Sequence, residues 1–395
     1  MTDETFIAES LGADVRALAL GKAPDGVNLR YCLRQIGGRQ IAARKLPSWA
    51  RTEGIVYPVR LSMEQCSSEQ TALYKRRLAE RLTAESHGRM ADLTGGFGID
   101  FSFLAQLFDE AHYVECDGEL CRIARHNLPL LGLPQAHVHQ TSAEAFLDGA
   151  EPCDLIFLDP SRRDAAGRRV VALGDCSPDV EALRDRLLAK ARTLLVKLSP
   201  MLDIQDTLRR LPGVDEVHVV SVDGECKEIL LVASRGKSGT AACHCVNLSA
   251  RTQTFSTVGW EARPVISPRP GGYLYEPNAS ILKAGVQDAL CEAFRVGKLH
   301  PFSHLFTSDR PVPDFPGRSF RVEDVGSFAK RDLRRLLSGI GQCNLAVRNF
   351  PAGVGELRRR LKLREGGDTY LFATTLADGS HALLRCSRLR LPLQE

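Results

Sequence analysis

The chain has 395 residues, of which 44% are hydrophobic and 25% charged, with 33 Gly, 20 Pro and 12 Cys. These proportions exclude collagen-like, disulfide-framework and wholly disordered classes, and the length corresponds to two or three domains. Net charge is only +4, but residues 318–395 carry fifteen Lys and Arg against eight Asp and Glu, which points to a nucleic-acid surface in the C-terminal fifth. The start Met1-Thr2-Asp3-Glu4 is acidic, unlike a secretory signal. No run approaches the ~18 consecutive apolar residues of a membrane span. The cysteines follow no repeating spacing, so reduced thiols and a cytoplasmic location away from membranes are expected.

Residues 1–85 read as a helical region: apolar residues within 17–20, 29–33 and 73–82 recur at three and four spacings, with no β-rich run. Ser67 with Gln70 three residues later predicts a capping box that opens a helix over 69–82. From Arg89 the texture alternates, with strands at 90–93, 112–115, 138–140, 155–158 and 193–198 and helices at 101–108, 119–130 and 178–191. That alternation predicts a parallel sheet with helices on both faces, in a domain over 86–240. Segments 217–222 and 228–233 read as an antiparallel pair, and 234–240 as a polar, glycine-bearing linker. Strands at 243–248 and 254–258 open a middle module over 241–320. The last module, 321–395, shows β-like runs at 344–347, 370–375 and 382–384 around basic helices at 329–337 and 354–361, a small α+β unit.

The segment Asp92-Leu93-Thr94-Gly95-Gly96-Phe97-Gly98 lies between a strand and a helix, where glycines let backbone approach a ligand and turn tightly. Glu115 closes the second strand, seventeen residues after Gly98, where a carboxylate accepts both hydroxyls of a ribose. A dinucleotide enzyme uses the same two features, so a third must discriminate. The apolar strand 155–158 runs into Asp159-Pro160-Ser161-Arg162 at the carboxyl edge of the sheet, where ligands sit in open α/β folds. Dinucleotide enzymes do not call for that element.

Asp159-Pro160 resembles motif IV of the class I S-adenosylmethionine-dependent methyltransferases, the Asp/Asn-Pro-Pro-aromatic element of base amino-methylases. The resemblance implies an α/β fold with a seven-stranded Rossmann-like sheet and S-adenosylmethionine as cofactor. It extends over most of the chain. Residues 62–75 (SMEQCSSEQTALYK) look like the segment preceding this fold in a bacterial family of predicted RNA methyltransferases with a THUMP-like C-terminal domain. Residues 272–281 (GYLYEPNASI) and 315–318 (FPGR) look like its ferredoxin-like middle module, and 347–351 (VRNFP) and 366–373 (GGDTYLFA) like its THUMP-like end. By analogy this implies a tRNA or rRNA substrate. Two positions depart from the pattern. Ser161 and Arg162 stand where amino-methylases carry Pro and an aromatic, and Gln140-Thr141-Ser142-Ala143-Glu144 lacks an Asp for the adenine amino group.

On this reading Asp92 takes the methionine ammonium, Thr94, Gly95, Gly96 and Gly98 pass beneath the cofactor, and Glu115 holds the ribose, with Cys116 beside it. Ser142 or a backbone amide serves the adenine, and Ser68, Thr71 and Lys75 face the pocket from the preceding helix. Methyl transfer from a sulfonium is an in-line displacement in which orientation supplies much of the rate. Asp159 and the Pro160 carbonyl would accept hydrogen bonds from the nucleophilic amine, and Arg162 and Arg163 would clamp a phosphate or stack on a base. No Cys lies in the Asp159 element, which argues against pyrimidine C5 chemistry. Cys243-His244-Cys245 lacks a second ligand pair, so no metal is expected. Arg334, Arg335, Arg358, Arg359 and Lys362 on the basic helices are the expected RNA phosphate contacts, with Phe350 and Tyr370 as candidate stacking rings. The alternatives are a methyltransferase of a protein or small molecule, or an inactive cofactor- and RNA-binding assembly factor.

Overall fold

Polar caps set the first helices of the computed structural model, which describes residues 1–161, 173–236 and 239–389. Contacts divide the chain into two units, Met1–Val217 with Glu228–Gly239 and His218–Lys227 with Thr240–Glu395. In unit 1, Thr2, Asp14 and Asn28 accept backbone amides to open α1 (Asp3–Glu9), α2 (Val15–Leu20) and α3 (Leu29–Lys45). Two short helices, α4 (Pro47–Arg51) and α5 (Arg60–Gln65), lead to α6 (Glu69–Leu82). The cap of α6 is Ser68, whose hydroxyl accepts from the Thr71 amide, one residue beyond the expected Ser67. Ser67 instead gives its hydroxyl to Asp100 at 2.7 Å. The helical region packs through Trp49, Tyr57 and Met63 onto Phe97 of the glycine loop, with the Trp49 and Phe97 rings 4.8 Å apart. That contact fixes the loop from behind.

The sheet of unit 1 follows the alternation read from the sequence. Its first five strands are β1 (Arg89–Asp92), β2 (Glu110–Glu115), β3 (Ala136–Gln140), β4 (Cys153–Leu158) and β5 (Ala191–Leu198), all parallel to one another. β6 (Glu216–Val222) starts in this unit, where the preceding Asp215 amide donates to Val232 of β7 (Glu225–Ser234) at 2.8 Å. β7 runs antiparallel to β5, so the order is β3-β2-β1-β4-β5-β7-β6. β4 is apolar almost throughout because both its faces are covered. The crossovers are α7 (Ile99–Leu104), α8 (Gly118–Leu130), α9 (Ala143–Gly149), α10 (Val180–Lys190) and α11 (Ile204–Arg210). α7 stops earlier than the expected helix to 108, passing into a 3-10 turn over Ala105–Leu107. α9 and α11 were not expected; each has seven residues and a side-chain cap, from Ser142 and Asp203.

In unit 2, the two expected strands are β8 (Ala242–Leu248) and β9 (Gln253–Val258), which pair antiparallel. β10 (Tyr273–Pro277), α12 (Ala279–Ala284), α13 (Leu290–Phe294), β11 (Gly297–Lys298), β12 (Phe306–Ser308) and β13 (Gly317–Gly326) follow. The chain then forms α14 (Lys330–Leu336), β14 (Gln342–Arg348), α15 (Val354–Leu361), β15 (Arg364–Thr375) and β16 (His381–Arg388). One sheet of order β11-β12-β10-β13-β16-β15-β14 joins these strands. The expected boundary between residues 320 and 321 falls inside β13, which pairs with β10 on one side and β16 on the other. Both modules therefore share a sheet. Phe320, Phe372 and Leu384 form one core cluster, and Leu336, Leu357 and Leu371 belong to a second, where the two basic helices bury their apolar faces. No helix among the described residues is long and apolar enough to cross a membrane.

Candidate active site

The loop after β1 is built by short-range constraints. Gly96 and Gly98 have φ of 55° and 87°, the left-handed region that favours glycine, and Gly98 begins α7. At Gly95 a Cβ would stand 2.3 Å from the Tyr113 ring, so only glycine lets the loop lie against β2. Tyr113 in turn donates its hydroxyl to the Gly96 carbonyl.

Three strand ends meet across this loop. At the end of β1, Asp92 is 1% exposed, and its Oδ1 accepts from the Thr94 amide at 2.9 Å and the Thr94 hydroxyl at 3.2 Å. At the end of β2, the half-buried Glu115 accepts from the Gly96 amide through Oε2 and the Asp117 amide through Oε1, each at 2.9 Å. At the end of β4, the Asp159 amide donates to the Thr94 hydroxyl oxygen at 2.6 Å. Thr94 is thus the joint between Asp92 and Asp159. Pro160 follows directly and is buried.

Behind Asp159 lies a buried chain of charges that sequence reasoning missed. Lys197 of β5 pairs with Asp159 Oδ2 and lies 3.4 Å from Asp100 Oδ2. Lys75 of α6 is fully buried, 3.2 Å from Asp100 Oδ1 and within 2.7 and 2.8 Å of the two Glu228 oxygens. Only Asp159, with 39% of its side chain exposed, brings this chain to the surface. Burial alone would lower the Lys197 pKa, but the Asp159, Asp100 and Glu228 carboxylates raise it well above the usual ammonium range. Burial likewise pushes Asp100 up, yet Lys75 and Lys197 outweigh it and hold the carboxyl below its usual value. Asp92 has no ammonium partner among the described residues, and burial pushes it up to about 8 against the Thr94 hydrogen bonds that favour the anion.

The structure therefore brings Asp92, Thr94, Gly95, Gly96, Gly98, Glu115, Asp159 and Pro160 to one sheet edge. Lys75 reaches that edge only through Asp100 and Lys197, because its own ammonium is enclosed by carboxylates. Ser68 and Thr71 sit at the start of α6, where the Thr71 hydroxyl donates to the Ser68 carbonyl at 3.0 Å. Ser142 caps α9 through the Ala145 amide, and the exposed Cys116 thiol approaches the Thr141 carbonyl at 3.4 Å. Arg162 and Arg163 lie outside the described residues. In unit 2, Arg334, Arg359 and Lys362 are exposed, whereas Arg335 pairs with Asp324 and Arg358 with Glu365. Phe350 packs on Phe328 and Tyr370 on Phe320, so neither candidate stacking ring is free. Cys243 and Cys245 are buried on one face of β8, their sulfurs 4.0 Å apart.

A sheet of this order, with a glycine loop after β1, a carboxylate closing β2 and Asp-Pro closing β4, defines a methyltransferase-type α/β domain. Among solved structures, the chain is similar to that of the "putative methyltransferase" from Porphyromonas gingivalis W83, at 33% identity, 98% coverage of both chains and a TM-score of 0.86. The chain belongs to that methyltransferase family, and near its C-terminus residues 273–316 match the ferredoxin-like domain and residues 317–388 the THUMP domain-like family. It is also similar to an rRNA methylase from Streptococcus thermophilus, at 11% identity over 41% of this chain and 93% of that one, with a TM-score of 0.31. A comparison with curated proteins gives no match.

Proposed function

We propose that this chain is an S-adenosylmethionine-dependent RNA methyltransferase acting on a base nitrogen of tRNA or rRNA. The observation that carries the reading is the Thr94 hydroxyl, which ties Asp92 to the Asp159 backbone and so sets an ammonium ligand beside an amine acceptor. The residues at this edge fit the cofactor. Only Oδ1 of Asp92 is hydrogen-bonded among the described residues, leaving Oδ2 for a cation. Each Glu115 oxygen carries one backbone amide and keeps a lone pair for a ribose hydroxyl. Bound there, S-adenosylmethionine supplies an electrophilic methyl group on a sulfonium. Asp159 and the Pro160 carbonyl would accept from the target amine and aim its lone pair, which is where most of the rate arises. Lys197 holds Asp159 Oδ2 from behind, leaving Oδ1 to take the amine proton and pass it to solvent.

RNA as the acceptor is supported by the THUMP-like match and by the exposed cations Arg334, Arg359 and Lys362, which position a phosphate backbone without reading sequence. The ion pairs of Arg335 and Arg358 favour the second reading, a protein or small-molecule acceptor, because they reduce the free charge. The test is transfer of labelled methyl to RNA from a strain lacking this gene, with wild-type RNA as control. Label entering the deletion-strain RNA alone, and lost with Asp159→Ala, is the expected result. Absence of transfer while calorimetry shows bound cofactor would move the assignment to the second reading.

Asp92 gives cofactor uptake a proton signature. Burial pushes its carboxyl up to about 8 in the folded chain, so it is mostly protonated at pH 7, and a cation beside it drives the proton off. Calorimetry in buffers of different ionisation enthalpy is expected to show release approaching one proton at pH 7. Affinity should climb by up to about tenfold per pH unit below about 8 and level off above it. The sign for the free protein is opposite: burial moves this carboxyl from the usual carboxylate range up to about 8, so the group makes the fold less stable as pH rises through that window. Asp92→Asn should abolish both dependences; a variant that keeps the proton release would assign it elsewhere.

A further inference from the structure

The helical region of unit 1 contains a cleft of about 870 Å³ lined by Arg16, Arg30, Arg34, Arg44 and Arg60, with Asp14 and Glu119 as its acidic members. We propose that this cleft binds the sugar-phosphate backbone of an RNA strand, a second nucleic-acid surface apart from the basic helices of unit 2. The proposal rests on the RNA reading above.

The arrangement follows from one helix face. Arg30, Arg34, Gly37, Ile41 and Arg44 recur at intervals of four and three along α3, which puts them in one line. From Arg30 to Arg44 the line runs about 21 Å, the axial length of about six nucleotides of a stacked strand. The acidic groups neutralise it only in part. Asp14 is engaged on the Arg16 amide as the cap of α2, Glu119 pairs with Arg34, and Arg60 pairs with Glu64. Arg16, Arg30 and Arg44 are exposed and carry no ion pair among the described residues. Against Asp14, Glu64 and Glu119, the five arginines leave the cleft a net charge of +2.

The floor of the cleft is equally specific. Gly37 and Gly38 adjoin in mid-helix, where glycine is a poor helix former. At Gly38 a Cβ would meet Tyr57 Cβ at 2.3 Å, so packing demands that glycine. At Gly37 a Cβ would meet only Val15 Cγ2 at 3.8 Å, so no neighbour requires its absence. A bare helix face between arginines admits a backbone closely. Tyr31, with the Arg34 guanidinium 5.6 Å from its ring centre, packs in part on Ile7, Cys32 and Ile36, so the line of arginines is what a phosphate backbone would meet.

The test uses the full chain and a labelled 20-nucleotide RNA of mixed sequence, with anisotropy read over a range of salt. Arg30→Gln with Arg44→Gln is expected to weaken binding by about tenfold at low salt and to flatten the log–log salt slope by about 1.4, equally for different sequences. Gly37→Glu, which keeps every arginine, should weaken binding similarly, and unchanged circular dichroism and melting would establish that both variants fold. Unaltered affinity and slope in both, while Arg334→Gln with Arg359→Gln and Lys362→Gln loses affinity, would overturn the cleft and leave the RNA reading standing. Failure of the wild-type chain to bind RNA would overturn both. Displacement of the RNA by polyglutamate at equal charge concentration would assign the cleft to acidic polypeptides instead and overturn the proposal.

Discussion

Replacing Asp159 with asparagine is expected to lower single-turnover methyl transfer by at least about 10²-fold, the loss typical of removing one positioned polar group from a reaction centre. The substitution is nearly isosteric and keeps the side chain at the mouth of the site, where 39% of it is exposed. What it removes is charge. One oxygen of Asp159 pairs with Lys197, and an asparagine amide would turn either its oxygen or its NH₂ toward that ammonium. In the first case the NH₂ faces the target amine, a donor set against a donor. In the second it opposes Lys197 and loses its orientation. Cofactor affinity should stay within about threefold, because Asp92 and Glu115 are untouched and bind through other atoms. The fold should also hold, since Lys197 keeps Asp100. A variant that transfers methyl within about threefold of wild type would remove Asp159 from the chemistry and leave positioning of the amine to other groups.

The parts of this site that were legible in the sequence are those fixed by local pattern. Asp92, Glu115 and Asp159 each end a short apolar strand, and in a parallel sheet such ends share one edge whatever the distant packing. The glycines were legible for the same reason, since a strand turning at once into a helix requires them. The buried charge chain was not. Lys75 and Glu228 are 153 residues apart, and nothing local tells which carboxylate an interior ammonium will meet. The available signals were the bare presence of Lys197 within the apolar strand β5 and of Glu228 ahead of a buried apolar run in β7. A charge in a strand covered on both faces requires a partner even when the partner cannot be named. The basic helices failed in the opposite sense. Arg335 and Arg358 counted as free cations, but Asp324 on β13 and Glu365 on β15 neutralise them, and those pairings depend on the sheet. Ser67 is the finest case. One residue separates a helix cap from a hydroxyl aimed at Asp100, and a capping-box pattern cannot resolve that difference.

Lys75→Met should be the most damaging single change to stability, at about 3–5 kcal/mol, because it strands buried carboxylates rather than because it removes an attraction. Glu228 has 4% of its side chain exposed and receives both its close contacts from Lys75; burial already holds its carboxyl above the usual range. Asp100, 9% exposed, loses its 3.2 Å neighbour and is left with Lys197, which it shares with Asp159. The decisive comparison is with the double variant Lys75→Met and Glu228→Leu. Removing both members of a buried pair is often neutral or stabilising when the volume is refilled, so the double should recover most of the loss. It leaves Asp100 and Asp159 facing Lys197, the same net charge of −1 as the full set of three carboxylates and two ammoniums. Urea midpoints at unchanged slope would measure this. A single variant within about 0.5 kcal/mol of wild type would mean that Glu228 takes up a proton at little cost, and that the chain of charges behind Asp159 is held by Lys197 alone. Recovery in the double without recovery of methyl transfer would show the converse: that Lys75, though it touches no ligand, sets Asp100 and through it the orientation of the Lys197 ammonium on Asp159.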